Sequence, residues 1–457
     1  VNDRSIQESN AQVFSKEELL ELDRKFVWHH MSVHNPNPMI FVSGKNSSVT
    51  DIDGKTYIDG MSGLWCVNVG YGREEIAKAA ADQMVAIPYV PMSQGNVPSI
   101  LLAEKINEWL GGNYRIFYSN SGSDANEVAF KIARQYHQQN GEPSRFKFIS
   151  RYRAYHGNSM GALSATGQAH RKTKYEPLSV GFHHVAPPYC YRCPFGKTYG
   201  ECGLECAKAY EDLINYEGAD TIAGIIMEPV ITGGGVIVPP PEYLTEVRNI
   251  CDRHGILLIV DEVICGFGRS GKPFGHQNFN IKPDIITMAK GMTSAYTPLS
   301  ATAIRSDLYE QFKKPGADNH FRHVNTFGGN PASCAVALKN LEIIEQEKLI
   351  DRAAYLGNEL RKKLDRLIMH KNVGDIRSFG FILGIELVED KESKIPASPE
   401  KVMKIIKECK ENGLIIGKNG DTVPGFNNIL TLSPPFTTTD EEIDFIVTTL
   451  LQAFAKL

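Results

Sequence analysis

Two short apolar runs, each closed by a charged side chain, constrain this chain more than any other feature. Ile256-Leu257-Leu258-Ile259-Val260 ends in Asp261-Glu262, and Asp284-Ile285-Ile286-Thr287-Met288-Ala289 ends in Lys290-Gly291. Runs of this length, bounded by Gly and Pro, read as strands buried on both faces of a parallel sheet. A carboxylate and an amine at the ends of two such strands are costly unless they have a task there. In open α/β sheets, ligands bind outside the carboxyl ends of the strands. A lysine on that rim can form a Schiff base, and an aspartate can pair with the pyridinium nitrogen of pyridoxal 5'-phosphate (PLP). A structural Asp–Lys ion pair is the other reading of the same two residues.

The rest of the chain supports an α/β architecture. From about 145 to 305, short apolar strands (Phe146–Ser150, Ala223–Met227, Ile256–Val260, Ile285–Ala289) alternate with helical stretches. That βαβ pattern predicts a mainly parallel sheet covered by helices. Apolar residues at 125, 128, 129, 132, 133 and 136 predict a helix over Ser123–Tyr136. Residues 15–31 read as a helix with an aromatic, His-rich end, and residues 40–60 carry hairpin signals around Asp53-Gly54. The C-terminal part reads as α+β: helix over about 332–370, strand or hairpin over Phe379–Leu387, helix near 398–412, an extended Ile429–Leu432 and a final helix. No internal repeat or low-complexity tract interrupts it.

With 457 residues, the chain has length for about three domain-sized units or one large core with smaller flanking parts. Its formal net charge of −4 leaves no footprint for nucleic acid or an acidic membrane surface. No apolar run reaches transmembrane length and no signal peptide is read, so a cytoplasmic location is expected; the polar stretch Val1–Asn10 is expected to fray. Nine cysteines in so long a chain do not look like a secreted disulfide scaffold.

Several further residues invite a functional reading beside a plain one. Ser121, Gly122 and Ser123 lie at the predicted helix start, where free N–H groups attract anions; Ser121 and Asp124 can equally form an ordinary capping box. Tyr155 in Tyr155-His156-Gly157 can stack on a flat cofactor or be a structural tyrosine. Thr326, in the Gly-rich turn Thr326–Pro331, offers a second phosphate contact or only a turn. Trp65 can line a substrate pocket or fill a core. Cys190, Cys193, Cys202 and Cys206 form C-x2-C and C-x3-C pairs that could hold zinc or an iron–sulfur cluster, form labile disulfides or stay free.

Together these pieces resemble the class III aminotransferases, PLP enzymes of fold type I. The likeness is to the omega-amino-acid:pyruvate branch, which includes taurine–pyruvate and β-alanine–pyruvate aminotransferases. It rests on Asp59–Gly72, Asn120–Asn126, Tyr155-His156-Gly157, Glu228-Pro229-Val230, Asp261–Arg269, Met288–Gly291, Thr326–Pro331 and Leu432–Pro435, in the family's order across nearly the whole chain. The resemblance implies a large domain with a mainly parallel seven-stranded sheet covered by helices, and a small α+β domain built from both termini. Residues 1–75 would give the N-terminal part of the small domain, 76–335 the large PLP-binding domain and 336–457 the C-terminal part.

It also implies roles. Lys290 would hold PLP, Asp261 would pair with its ring nitrogen, Val263 would pack under the ring and Tyr155 would stack over it. Ser121, Gly122 and Ser123 would bind the phosphate, with Thr326 supplied by a neighbouring subunit; His156 and Glu228 would complete the cofactor site. Trp65, Met31 and Tyr155 would line the substrate pocket. A homodimer is implied, with a tetramer as the larger option, and no metal at the site.

Two departures qualify the likeness. No acid follows Glu228-Pro229 in Val230–Gly235, which argues against the 4-aminobutyrate subgroup. Where several omega enzymes carry a mobile arginine, this chain has Gly417, so Lys418 becomes the candidate for the acceptor's acid group. The expected reaction is ping-pong transamination from an omega-amino acid, taurine or amine to pyruvate, giving alanine. A diaminopelargonate synthase-like enzyme or a PLP aminomutase on the same fold is the alternative. A catalytically silent metal- or redox-sensing protein using the cysteine cluster is a reading from another class.

Overall fold

The computed structural model describes residues 14–31, 35–316, 318–420 and 422–457. The stretch Val1–Asn10 lies outside the described residues. Seven strands form the large sheet: β1 (Tyr114–Ser119), β2 (Lys147–Arg151), β3 (Phe182–Val185), β4 (Ile222–Met227), β5 (Leu257–Asp261), β6 (Ile285–Met288) and β7 (Ser300–Arg305). Their spatial order is β1-β7-β6-β5-β4-β2-β3. β7 runs antiparallel to both neighbours, and the other pairings are parallel.

The apolar runs are continuous because helices cover both faces. Leu258 and Val260 pack in one cluster with Tyr210, Leu244 and Val247, whereas Leu257 and Ile259 pack in another with Val128, Ala129 and Ile132. These partners come from α1 (Gly122–Gln139), α2 (Glu205–Glu217) and α3 (Tyr243–His254). The two-residue alternation of a strand thus feeds two separate helix layers.

Both chain ends build the smaller part. Strands Phe41–Lys45, Ser48–Asp51 and Thr56–Asp59 form an antiparallel meander, and Leu414–Ile415 joins its edge in parallel with Thr56–Asp59. A second sheet combines Val373–Phe379, Ile382–Leu387, Ile429–Leu432 and Gly417–Lys418. Helix α4 (Pro331–Gln346) runs unbroken across residue 335 and links the two parts.

Two sequence expectations are corrected, and a third resolves to one of its two readings. The helix over 15–31 stops at Phe26, where Val27 turns extended; a β-branched residue followed by Trp and two His residues propagates a helix poorly. The helical stretch 332–370 is two helices, α4 and α5 (Leu349–Leu364), then a 3-10 turn, because Lys348 takes φ +52°. The stretch read as strand or hairpin over Phe379–Leu387 is the end of one arm, the turn and the second arm of a hairpin. Gly380 makes that turn at φ +57°, where a β-carbon would meet Ser270 C at 2.3 Å. Among the described residues, no helix is long and apolar enough to cross a membrane.

Candidate active site

Asp261 and Lys290 stand at the carboxyl ends of adjacent strands, β5 and β6, as the apolar runs predicted. Asp261 is 3% exposed. Its Oδ2 accepts from Asn126 Nδ2 at 2.9 Å and His156 Nδ1 at 2.8 Å, and its Oδ1 accepts from Val263 N at 3.0 Å. Burying a carboxylate costs several kcal/mol. Hydrogen bonds to charged groups return about 1.5–3 kcal/mol each, so three together offset that cost. His156 is itself fixed: its N–H donates to Thr166 Oγ1, and its Nε2 is buried without a partner.

Lys290 sits in the left-handed region at φ +46°, a strained conformation for a residue with a side chain. Among the described residues no hydrogen bond or ion pair holds its amine. Burial lowers its pKa, opposed by the nearby Cys66 and then by Asp261 and Glu228. A less protonated, unheld amine is a prepared nucleophile.

The helix start of α1 lies alongside. Ser121 caps it, accepting from Asp124 N at 3.2 Å, while Asp124 Oδ2 accepts from Ser121 N at 3.0 Å. The plain capping-box reading is therefore present. It leaves the N–H groups of Gly122 and Ser123 without an intrahelical acceptor, so the same turn can still bind an anion. Gly122 leaves no room for a β-carbon, which would meet Val263 Cγ1 at 2.9 Å. Ser123 Oγ donates to Asn158 Oδ1 at 2.9 Å and accepts from Asn158 N at 3.1 Å.

Tyr155 and Glu228 lie beside each other near Asp261. Glu228 is buried, and burial raises its pKa. Its Oε1 accepts from Tyr155 N at 3.3 Å, and its Oε2 accepts from Thr232 N and Oγ1 at 3.1 and 2.8 Å. The Tyr155 ring carries a guanidinium, Arg171, 4.7 Å from its centroid. Arg171 donates to Gln168 Oε1 at 2.7 Å and reaches Met31 Sδ at 3.6 Å. It also abuts Gly420, where a β-carbon would lie 2.8 Å from Nη2. Met31 is thereby placed beside Arg171.

Trp65 is buried at φ +63° among Met61, Val230, Val236, Cys265 and Ile382, and the next residue, Cys66, neighbours Lys290. Lys418 lies on a two-residue strand paired with Leu430. Thr326 lies on a turn tied back by Asn120 Nδ2, which donates to Asn325 Oδ1 at 2.7 Å.

Two residues at the site escaped the sequence reading. Asn126 bridges His156 O and Asp261 through Nδ2, and its Oδ1 accepts from Thr287 Oγ1 at 2.7 Å. An amide beside the apolar face of an amphipathic helix was the available signal. Arg171, in Gln168-Ala169-His170-Arg171-Lys172, carries no local signature.

These residues fit PLP. A buried, donor-braced aspartate suits a protonated ring nitrogen, free N–H groups suit a phosphate, and Lys290 suits the carbonyl carbon. The site is that of a PLP enzyme of fold type I. Within that class the chain belongs to the class-III aminotransferases (Aminotransferase class-III), which residues 30–454 match. It is a PLP-dependent transaminase. It is 57% identical to the uncharacterized aminotransferase YhxA of Bacillus subtilis (strain 168), over 96% of this chain and 97% of that one. It is 43% identical to a taurine–pyruvate aminotransferase of Bilophila wadsworthia, over 97% and 98%. The crystal structure of a Bacillus anthracis aminotransferase superposes with a TM-score of 0.95 at 56% identity, covering 96% of this chain and 98% of that one.

Proposed function

We propose that the enzyme moves the amino group of a donor bearing a distal acid group, taurine or β-alanine foremost, to pyruvate, and that Arg171 receives the acid group. The observation that carries this reading is the position of Arg171. It is a cation over the Tyr155 ring, and among the described residues its side chain is held only by an amide oxygen and a thioether and forms no ion pair. A guanidinium offers a planar fork to a carboxylate or sulfonate, which the ammonium of Lys418 cannot. Relatives named for taurine and pyruvate, in Bilophila wadsworthia and Paracoccus denitrificans, support the donor and acceptor.

In the proposed ping-pong cycle, Asp261 holds the ring nitrogen, braced by Asn126 and His156, and Ser121, Gly122 and Ser123 hold the phosphate. When bound, PLP supplies the electron sink. Lys290 Nζ would take the proton from the amine-bearing carbon and then act as acid. The donor would leave as an aldehyde that takes its oxygen from water, its nitrogen staying at the site for the keto acid, on which the same groups would act in reverse. Tyr155 and Met31 flank the donor's chain, while Arg171 orients its far end.

The working unit in this reading is a homodimer. The Thr326 turn lies among exposed apolar side chains: Phe327 meets Tyr89 edge-on, Met92 contacts Gly329, and Val97, Ile100 and Val324 are open to solvent. Such a patch suits a second copy and would bring Thr326 to its phosphate site.

Alanine formed from pyruvate with taurine, β-alanine and an uncharged amine tests the reading. Faster turnover of the acid-bearing donors, lost in Arg171→Ala, supports it. Equal use of the uncharged amine, unaffected by that variant, overturns it.

A further inference from the structure

One polar residue stands where the fold asks for an apolar one. Asn340 lies in the middle of α4 and is fully buried, with Val336, Ala337, Leu341 and Ile344 of the same helix buried beside it. Asparagine is a weak helix former, and a buried amide costs stability unless it is hydrogen-bonded. Its Nδ2 donates to Gly291 O at 2.9 Å and to Met292 O at 3.0 Å. Its Oδ1 is buried without a partner among the described residues. One end of the amide is thus left unpaired while the other reaches two carbonyls. An unsatisfied buried group in a folded protein calls for a reason of that kind.

The two carbonyls belong to the turn that carries Lys290. That turn, Lys290–Met292, is closed by Met292 N donating to Ala289 O at 3.0 Å and Thr293 N donating to Lys290 O at 3.2 Å. It starts from the left-handed Lys290, at φ +46°. Such a conformation persists only where the surroundings over-determine it. Asn340 ties the turn from one side. Asn68 closes it from another: a β-carbon on Gly291 would lie 2.3 Å from Asn68 Nδ2. Asn68 is itself fixed, donating to Phe267 O at 3.0 Å and accepting from Arg269 Nη2 at 2.7 Å. Arg269 is buried and also donates to Pro434 O at 2.6 Å.

We propose that Asn340 is a positioning residue: by holding the Gly291 and Met292 carbonyls it keeps Lys290 in its left-handed conformation, where the amine is ready to capture PLP. This rests on the reading that Lys290 holds PLP. A lysine free to leave the left-handed region would swing its side chain, because a change in φ turns the Cα–Cβ bond. A nucleophile already in place does not have to be ordered when the cofactor arrives. Asn340 acts only through the turn. An amide that merely supported the fold would not favour one cofactor form over another.

Two ligands separate positioning from support. PLP carries an aldehyde, which condenses with an amine by losing water; pyridoxine 5'-phosphate has an alcohol there and cannot. Each is titrated into apoenzyme, PLP by its absorbance and pyridoxine 5'-phosphate by quenching of protein fluorescence. Asn340→Ala should weaken PLP about tenfold and leave pyridoxine 5'-phosphate within about twofold of the unmodified chain. Asn340→Asp, nearly the same shape with at most one donor, should fall between, and it keeps the test open if the alanine variant does not fold. Equal losses for both ligands, or PLP affinity unchanged in both variants, would overturn the proposal. The reading beneath it is checked separately by borohydride reduction of the unmodified holoenzyme, which should leave the cofactor on the peptide that holds Lys290. Label there, with equal losses in the variants, overturns the positioning role alone; label on another lysine overturns both.

Discussion

The two sides of the active-site cleft are built differently. On the cofactor side nearly every polar group has several partners: Asp261 accepts three hydrogen bonds, Glu228 accepts three, and Asn126 joins His156, Asp261 and Thr287. On the side proposed for the substrate, Arg171 is held, among the described residues, by one amide oxygen and one methionine sulfur, and Met31 is 69% exposed. A shared chemical step requires a fixed geometry, whereas a methionine-lined mouth can repack around different donors.

That contrast is broken most severely at Lys290. Lys290→Ala should lower steady-state turnover by roughly 10³-fold or more, since it removes both nucleophile and proton carrier. Asp261→Asn should follow, with kcat down by roughly 10²-fold and the fold retained on circular dichroism, because it removes the charge opposite the ring nitrogen. A rate near that of the unmodified enzyme would show that the braced carboxylate is not needed.

The substrate side should respond selectively. Arg171→Ala should cost acid-bearing donors about 10- to 100-fold in kcat/KM, the equivalent of one charge-assisted hydrogen bond or slightly more, and leave an uncharged amine little changed. Arg171→Lys should recover part of the loss. A uniform loss across all donors would make Arg171 a support for Tyr155 instead.

Smaller effects sharpen the picture of the cofactor side. Gly122→Ala places a β-carbon against Val263, so PLP should bind about tenfold more weakly, measured by titration of apoenzyme. His184 offers a pH test of the same side. Its Nε2 donates to Ala165 O, next to Thr166, which holds His156. Burial, aided by Lys172, pushes its pKa down to about 4 from 6.5. The folded state therefore binds fewer protons than the unfolded state between those values, and stability falls as pH drops through that window. Tm should decline from pH 6.5 to 4, and decline less in His184→Gln.

The same contrast decided what could be read from sequence. β4, β5 and β6 were legible because burial on both faces demands unbroken apolar runs. β7, Ser-Ala-Thr-Ala-Ile-Arg, was not, because its polar residues break the apolar run and the buried Thr302 hydroxyl finds its partner, Ala125 O, only in the fold. Asp261, Lys290 and the Ser121–Ser123 turn announced themselves by breaking local rules: charge at the end of an apolar run, or glycine at a helix start. Arg171 broke none. Its meaning comes from Tyr155, Met31 and Gly420, which are brought beside it from separate parts of the chain. The end of the N-terminal helix was misplaced at 31 instead of Phe26 because the residues beyond it fold back, His29 onto Asp23 of the helix and Met31 onto the distant Arg171, rather than extend a helix face.

The most direct test of the central claim is the visible absorbance of the PLP-loaded enzyme as taurine and then pyruvate are added. The account predicts that taurine abolishes the band of the lysine-bound cofactor and that pyruvate restores it, with one alanine formed per site. A band that neither taurine nor β-alanine alters, but that an uncharged amine removes, would contradict the assignment of an acid-bearing donor.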